Sequence, residues 1–276
     1  MDMRRISSRP DRRATSGLLP GRRILIAGAA TPVGQAAAKL CAGEGARLAL
    51  LDRDEEALKR LSEHLDANAF PVDLGQEHAV RRAVDAAGQT LGGLDGLINC
   101  VAPAVRDRDD QSPSGVPPDL TGEMSRPYIV CRACVSWLKS EPGSTVVNVP
   151  GLIGGSTGAA DLPMEAAVAG GLVAYSKALA AQLAPDVRVN SLCPPYVGID
   201  APPWRPGQPP GETVLWRFDL DAAAEPLNEI AAMVLLLSCR ESLPLTGAAV
   251  ALDGAVGRGV PAPASEERPV KQARRR

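Results

Sequence analysis

Residues 174–185 read AYSKALAAQLAP, with Tyr175 two places before Lys177 inside an alanine-rich run. A phenol held beside an ammonium can move a proton, because the cation lowers the phenol pKa and the phenol then serves a substrate oxygen. Both side chains must lie on one face. On a helix, residues two apart are turned about 200° from each other, while a separation of four brings them together. Tyr175 and Lys177 therefore do not form that couple. The two histidines, His64 and His78, fall in helical segments of the N-terminal half, where solvent-facing positions are expected. Cys131 and Cys134 form one CxxC without a second pair, which predicts two half-buried helix cysteines and no metal site. Glu123, Glu165 and Tyr196 can each face a cleft. A carboxylate there would suit the base of a dehydration, cyclisation or isomerisation. Glu165 can equally supply the negative charge favoured in a first helical turn.

A second group of residues suits a nucleotide. AGAATPVG (27–34) follows one apolar run and opens a helical one. Gly28 permits a tight turn there, and Gly34 permits close packing of helix on strand. Asp52 closes the second apolar run, where a carboxylate can accept from both hydroxyls of an adenosine ribose.

The elements that position these residues alternate along the chain. RILIAG (23–28), ARLALL (46–51), AFPV (69–72), GLINC (96–100), STVVNV (144–149), VRVNSL (187–192) and GAAVAL (247–252) read as buried strands. Helical patterns occupy 32–44, 54–65, 76–91, 123–139, 163–184 and 226–239. Repeated strand–helix–strand units predict an α/β fold, a doubly wound Rossmann-type parallel sheet with helices on both faces. Long insertions at 103–122 and 194–213 interrupt the rhythm. Ligands in such sheets bind beyond the carboxyl ends of the strands, where loops of this kind gather.

Composition bounds the function. The 276 residues suffice for one domain, and a net charge of −2 gives no nucleic-acid footprint. Basic residues gather at the ends, so 1–20 and 258–276 are expected to be disordered tails around a single domain at 21–257. No secretory or membrane-spanning stretch is evident, and six scattered cysteines indicate a reducing compartment; a cytoplasmic protein is expected. The helix at 163–184 carries only Glu165 and Lys177 as charges, eight alanines and Gly170–Gly171, so both of its faces should be covered.

From about residue 21 to 257 the chain resembles the short-chain dehydrogenase/reductase family. AGAATPVG is similar to the family's TGxxxGxG, DRDEEAL (52–58) to its second-strand end and VDL (72–74) to the segment carrying its adenine-side aspartate, Asp73 here. LINCVA (97–102), which contains Asn99, is similar to NNAG; VRVNSLCPP (187–195) to RVNxxxPG; LTGAAVALDGA (245–255) to TGxxxxxDGG. The resemblance implies a seven-stranded, mostly parallel sheet and an NAD(P) site at Gly28, Gly34, Asp52, Asp73 and Asn99, without metal. Asp52 with Thr31 favours NAD over NADP, since Arg53 alone could meet a 2′-phosphate.

The family's serine, tyrosine and lysine do not carry over. NVPGLIG (148–154) puts Gly151 at the serine, Met164 or Glu165 stands at the tyrosine, and Val168 or Ala169 at the lysine. Glu123 stands at the supporting asparagine, Pro32 at the middle glycine of the turn, Pro195 at the glycine of PG and Ile199 at a nicotinamide-contacting threonine. Proline does suit the first position of a helix. What the resemblance keeps is the pair of helices, 123–139 and 163–184, through which family members assemble. It therefore implies a non-catalytic subunit partnered by an active homologue in a hetero-oligomer. The silent subunit of aminocoumarin antibiotic biosynthesis is the analogy, with a hydroxyl or keto intermediate as the complex's substrate. The alternative is a non-redox lyase, cyclase or isomerase on the same scaffold.

Overall fold

The structure, a computed structural model, describes residues 17–101, 120–150, 163–194, 224–240 and 244–252. Strands and helices alternate throughout: β1 (Arg23–Ala27), α1 (Pro32–Gly43), β2 (Arg47–Asp52), α2 (Glu55–Leu65), β3 (Asn68–Pro71), α3 (Glu77–Leu91) and β4 (Gly96–Asn99). The second half continues with α4 (Leu120–Lys139), β5 (Ser144–Asn148), α5 (Pro163–Leu183), β6 (Val187–Cys193), α6 (Ala224–Ser238) and β7 (Ala249–Ala251). All seven strands are parallel, in the order β3-β2-β1-β4-β5-β6-β7. The order reverses between β1 and β4, and the crevice beyond their carboxyl ends is where such a sheet takes a ligand.

Strand alternation builds two cores. Ile24 and Ile26 face α1, α2 and α6, while Leu25 and Ala27 face α3, α4 and α5. With helices on both faces, central strands such as β5 are buried from end to end, which explains their unbroken apolar runs. Local signals fix the helix ends. Asp54 caps α2 by accepting from the Ala57 N–H at 2.9 Å, and Gly92 ends α3 at φ +77°. Gly88 of α3 sits beneath the Trp137 indole of α4, where an added Cβ would lie 2.6 Å from the ring. The indole N–H donates to Asp85 at 3.0 Å, so a small residue and a hydrogen bond together set the α3–α4 contact.

Packing contacts reach back before residue 21, the expected start of the domain. Leu19 is fully buried, its N–H donates to the Glu44 carbonyl at 3.0 Å, and the Gly21 N–H donates to that of Gly45 at 2.8 Å. Residues 1–16 and 253–276, the bulk of the expected tails, lie outside the described residues. In α5, the window Ala166–Leu183 is long and apolar enough to cross a membrane, but Val168, Ala169, Leu172, Leu179, Ala180 and Leu183 are buried within the protein. It is a core helix.

At the amino ends of the strands, Asp95 takes three bonds from Arg23: from Nε at 2.8 Å, from Nη2 at 3.0 Å and from the backbone N–H at 2.9 Å. Burial pushes the Asp95 carboxyl pKa up, yet these bonds outweigh it and hold the carboxyl below its ordinary value.

Candidate functional site

The turn after β1 is closed by its own chain. Thr31 is the N-cap of α1 and Pro32 its first residue, the one helical position that needs no N–H. The Thr31 hydroxyl donates to the Gly28 carbonyl at 2.7 Å and accepts from the Gly34 N–H at 3.1 Å. Asp52, half-buried at the end of β2, accepts from Ala30 N–H at 3.0 Å and from Asp54 N–H at 3.2 Å. A carboxylate has further lone pairs, so ribose hydroxyls can still be accepted there. Asp73, exposed just beyond β3, accepts from Gly75 N–H at 2.9 Å. Since β2 and β3 are neighbours in the sheet, Asp52 and Asp73 lie at one edge of the crevice.

Gly28 and Gly34 serve the chain itself. Gly28 has φ +73°, and an added Cβ would lie 2.6 Å from the Cys100 carbonyl oxygen. A Cβ on Gly34 would lie 2.2 Å from the Gly28 carbonyl oxygen. Both glycines are thus required by turn and packing. The glycine that lets a pyrophosphate approach the backbone is the middle one, and Pro32 occupies it.

The main-chain donors agree. The N–H groups of Gly28 and Ala29 go to the Leu51 carbonyl, that of Thr31 to Gly28 and that of Gln35 to Thr31. Ala30 and Gly34 are used as described, and Pro32 has none. Among the described residues, Val33 alone of this turn retains an uncommitted N–H. Asp52 thus keeps acceptor capacity for a ribose, and the turn offers a phosphate the Val33 N–H.

Asn99 is fully buried. Its Nδ2 donates to the Pro127 carbonyl at 3.1 Å and to Asn148 Oδ1 at 3.0 Å, and lies 3.4 Å from Cys131 Sγ. Asn148 Nδ2 donates in turn to Ser176 Oγ at 2.9 Å, and Ser176 donates to the Leu172 carbonyl at 2.7 Å. Expected as a cofactor contact, Asn99 ties β4 to β5 and α4 through its Nδ2, while its buried Oδ1 has no hydrogen-bond partner among the described residues. Cys131 and Cys134, expected half-buried, are 1% and 0% exposed. Burial pushes the Cys131 thiol up to about 12, so it is an inert member of this network. Sequence reasoning missed Asn148, Ser176 and Cys131 as one unit. The available signal was an asparagine at 148 inside the otherwise apolar run TVVNV.

Tyr175 and Lys177 are kept apart. Lys177 is exposed, while Tyr175 is half-buried against Tyr128. Burial, followed by the nearby Cys131 and Tyr128, raises the Tyr175 pKa above that of an ordinary phenol, opposite to what proton transfer requires. At the position where a lysine would assist a tyrosine, Val168 and Ala169 are 4% and 1% exposed. His64 and His78 are exposed on α2 and α3. An open groove of about 310 Å³ between α1 and α2, lined by Gln35, Lys39, Arg60 and His64, touches none of the crevice residues. Gly151, Pro195, Tyr196 and Ile199, and the side chains of Glu123, Met164 and Glu165, lie outside the described residues.

Residues 28–256 match a family model described as "Enoyl-(Acyl carrier protein) reductase". The chain belongs to the short-chain dehydrogenase/reductase family. This dehydrogenase/reductase chain is 32% identical over 181 residues, 63% of its own length and 74% of the relative's, to the human 3-oxoacyl-[acyl-carrier-protein] reductase. It is 25% identical, with a TM-score of 0.67, to the 3-ketoacyl-(acyl-carrier-protein) reductase of Brucella melitensis complexed with NADH, covering 87% of this chain and 99% of that one. A short chain dehydrogenase from Burkholderia cenocepacia in complex with NADP shares the fold at 22% identity and TM-score 0.68, covering 86% of this chain and 98% of the other.

Proposed function

We propose that this family member is a non-catalytic subunit of a mixed short-chain dehydrogenase/reductase complex. Its partner is a homologue that retains a tyrosine–lysine pair, docked through α4 and α5, and the complex acts on a hydroxyl or keto intermediate of bacterial secondary metabolism. One observation carries the reading. Where an ammonium should stand, α5 carries Val168 and Ala169, both apolar and turned into the core. Without that cation nothing lowers a phenol pKa, and a hydride transfer without its proton does not proceed. The crevice keeps the Asp52–Asp73 edge for an adenine nucleotide, NAD in preference to NADP, that this chain does not turn over.

The outer side of the two helices supports assembly. Tyr128 and Met124 on α4 are 41% and 42% exposed, and Ala174, Lys177 and Ala178 are exposed on α5. Aromatic and methionine side chains are enriched at the buried centre of an interface.

The test is co-expression with a homologue from the same source that has an intact tyrosine–lysine pair. The expected result is a stable mixed complex by native mass spectrometry, with ketone reduction or alcohol oxidation absent from the isolated chain and present in the complex. A stable, active homo-oligomer of this chain overturns the reading.

A further inference from the structure

The committed N–H groups in the turn after β1 bear on how the chain holds its nucleotide. A dinucleotide is normally held at two places, the ribose on a carboxylate at the end of β2 and the pyrophosphate on free N–H groups at the start of the first helix. Here the two places have separate fates. Asp52 is half-buried, braces the turn through Ala30 and keeps lone pairs for two hydroxyls. Asp73 stands beside it at the end of the neighbouring strand.

The helix start is spent. Of the first three helical residues, Pro32 has no N–H and the Gly34 N–H is taken by the Thr31 hydroxyl. That leaves the N–H of Val33, next to the proline ring. No lysine or arginine occurs from residue 27 to 35 to replace the missing donors. Thr31 cannot help, because its hydroxyl proton is already committed to the Gly28 carbonyl.

We propose that this chain recognises an adenine nucleotide by its adenosine half, with the pyrophosphate contributing little. The inference rests on the reading that the crevice keeps an adenine nucleotide. It names the part of the ligand that is read: adenine and ribose, with the 2′- and 3′-hydroxyls on Asp52.

Calorimetry on the isolated full chain tests it with adenosine, AMP, ADP-ribose and NAD as probes. The four are expected to bind within about threefold of one another, because a phosphate meeting one N–H gains little over water. Pro32→Gly, which restores a donor and removes the ring, should tighten ADP-ribose and NAD by about tenfold and leave adenosine unchanged. Pro32→Ala restores the donor with less change in chain flexibility and keeps the test open if the glycine variant folds poorly. Asp52→Asn should weaken all four probes about equally.

NAD binding a hundredfold tighter than adenosine in the unaltered chain overturns the inference, as does no response to either proline substitution. Failure of all four probes to bind also overturns it, and leaves the subunit reading standing. Turnover of NAD(P)H by the isolated chain would instead overturn the subunit reading, whatever the affinity ratios.

Discussion

The ring of Tyr175 meets that of Tyr128 edge-on, with centroids 5.4 Å apart and planes inclined at 62°. One tyrosine comes from α5 and the other from α4, and Arg132 lies 6.0 Å above the Tyr128 ring. The phenol that looks catalytic in the sequence is thus a packing residue between two helices. Cys131 lies close to it, and burial keeps that thiol protonated near neutral pH.

Tyr175→Phe removes the hydroxyl and leaves the ring contact. The mixed complex should keep its activity within about twofold, while the chain loses about 1 kcal/mol of stability. Enzyme assay of the complex and urea denaturation of the variant check both. A hundredfold loss of activity would return Tyr175 to the chemistry.

Ala169→Lys would put an ammonium where the family resemblance expects one. Because Ala169 is 1% exposed among apolar neighbours, the substitution should cost about 3 kcal/mol or more and should not create activity. Thermal denaturation shows the cost. A stable, active variant would mean that α5 still lines a working crevice.

Asn148→Ala removes the acceptor used by Asn99 and the donor used by Ser176. It leaves polar groups buried without partners, at a cost of about 1–3 kcal/mol. Asn148→Asp retains the acceptor but buries a charge, and should be at least as harmful unless it takes up a proton. Chemical denaturation of both variants checks the order.

Gly88→Ala would drive a methyl group into the Trp137 indole. The expected cost is about 1–3 kcal/mol, with a shift in tryptophan emission as the indole loses its place and its bond to Asp85. Unchanged emission and melting would contradict the close α3–α4 contact.

Asp95 gives the acid dependence. Its carboxyl pKa in the folded chain is below the ordinary 3.8, so the unfolded chain binds the proton more readily. The resulting stability is fully present above about pH 4 and is lost as pH falls through the folded-state value. Asp95→Asn should be less stable at pH 7, and the gap to the unaltered chain should narrow below pH 4. Denaturation curves from pH 7 to pH 3 test the sign.

The sheet and its helices were legible because strands covered on both faces must be apolar throughout, and because Thr31, Asp54 and Gly92 carry the chemistry of helix ends. The position of Asp52 at the end of β2 was legible from the apolar run that it closes. The network of Asn99, Cys131, Asn148 and Ser176 was not. Its members come from β4, α4, β5 and α5, and only side-chain geometry shows that one amide serves two elements. Leu19 escaped for a similar reason: its partner is the Glu44 carbonyl at the far end of α1, and no local pattern announces that contact.

Gly28 and Gly34 would clash with carbonyl oxygens of their own polypeptide if they carried a side chain, with or without a guest molecule. Foldability alone is therefore enough to preserve them, whatever occupies the crevice. In this chain the two outer glycines testify to architecture.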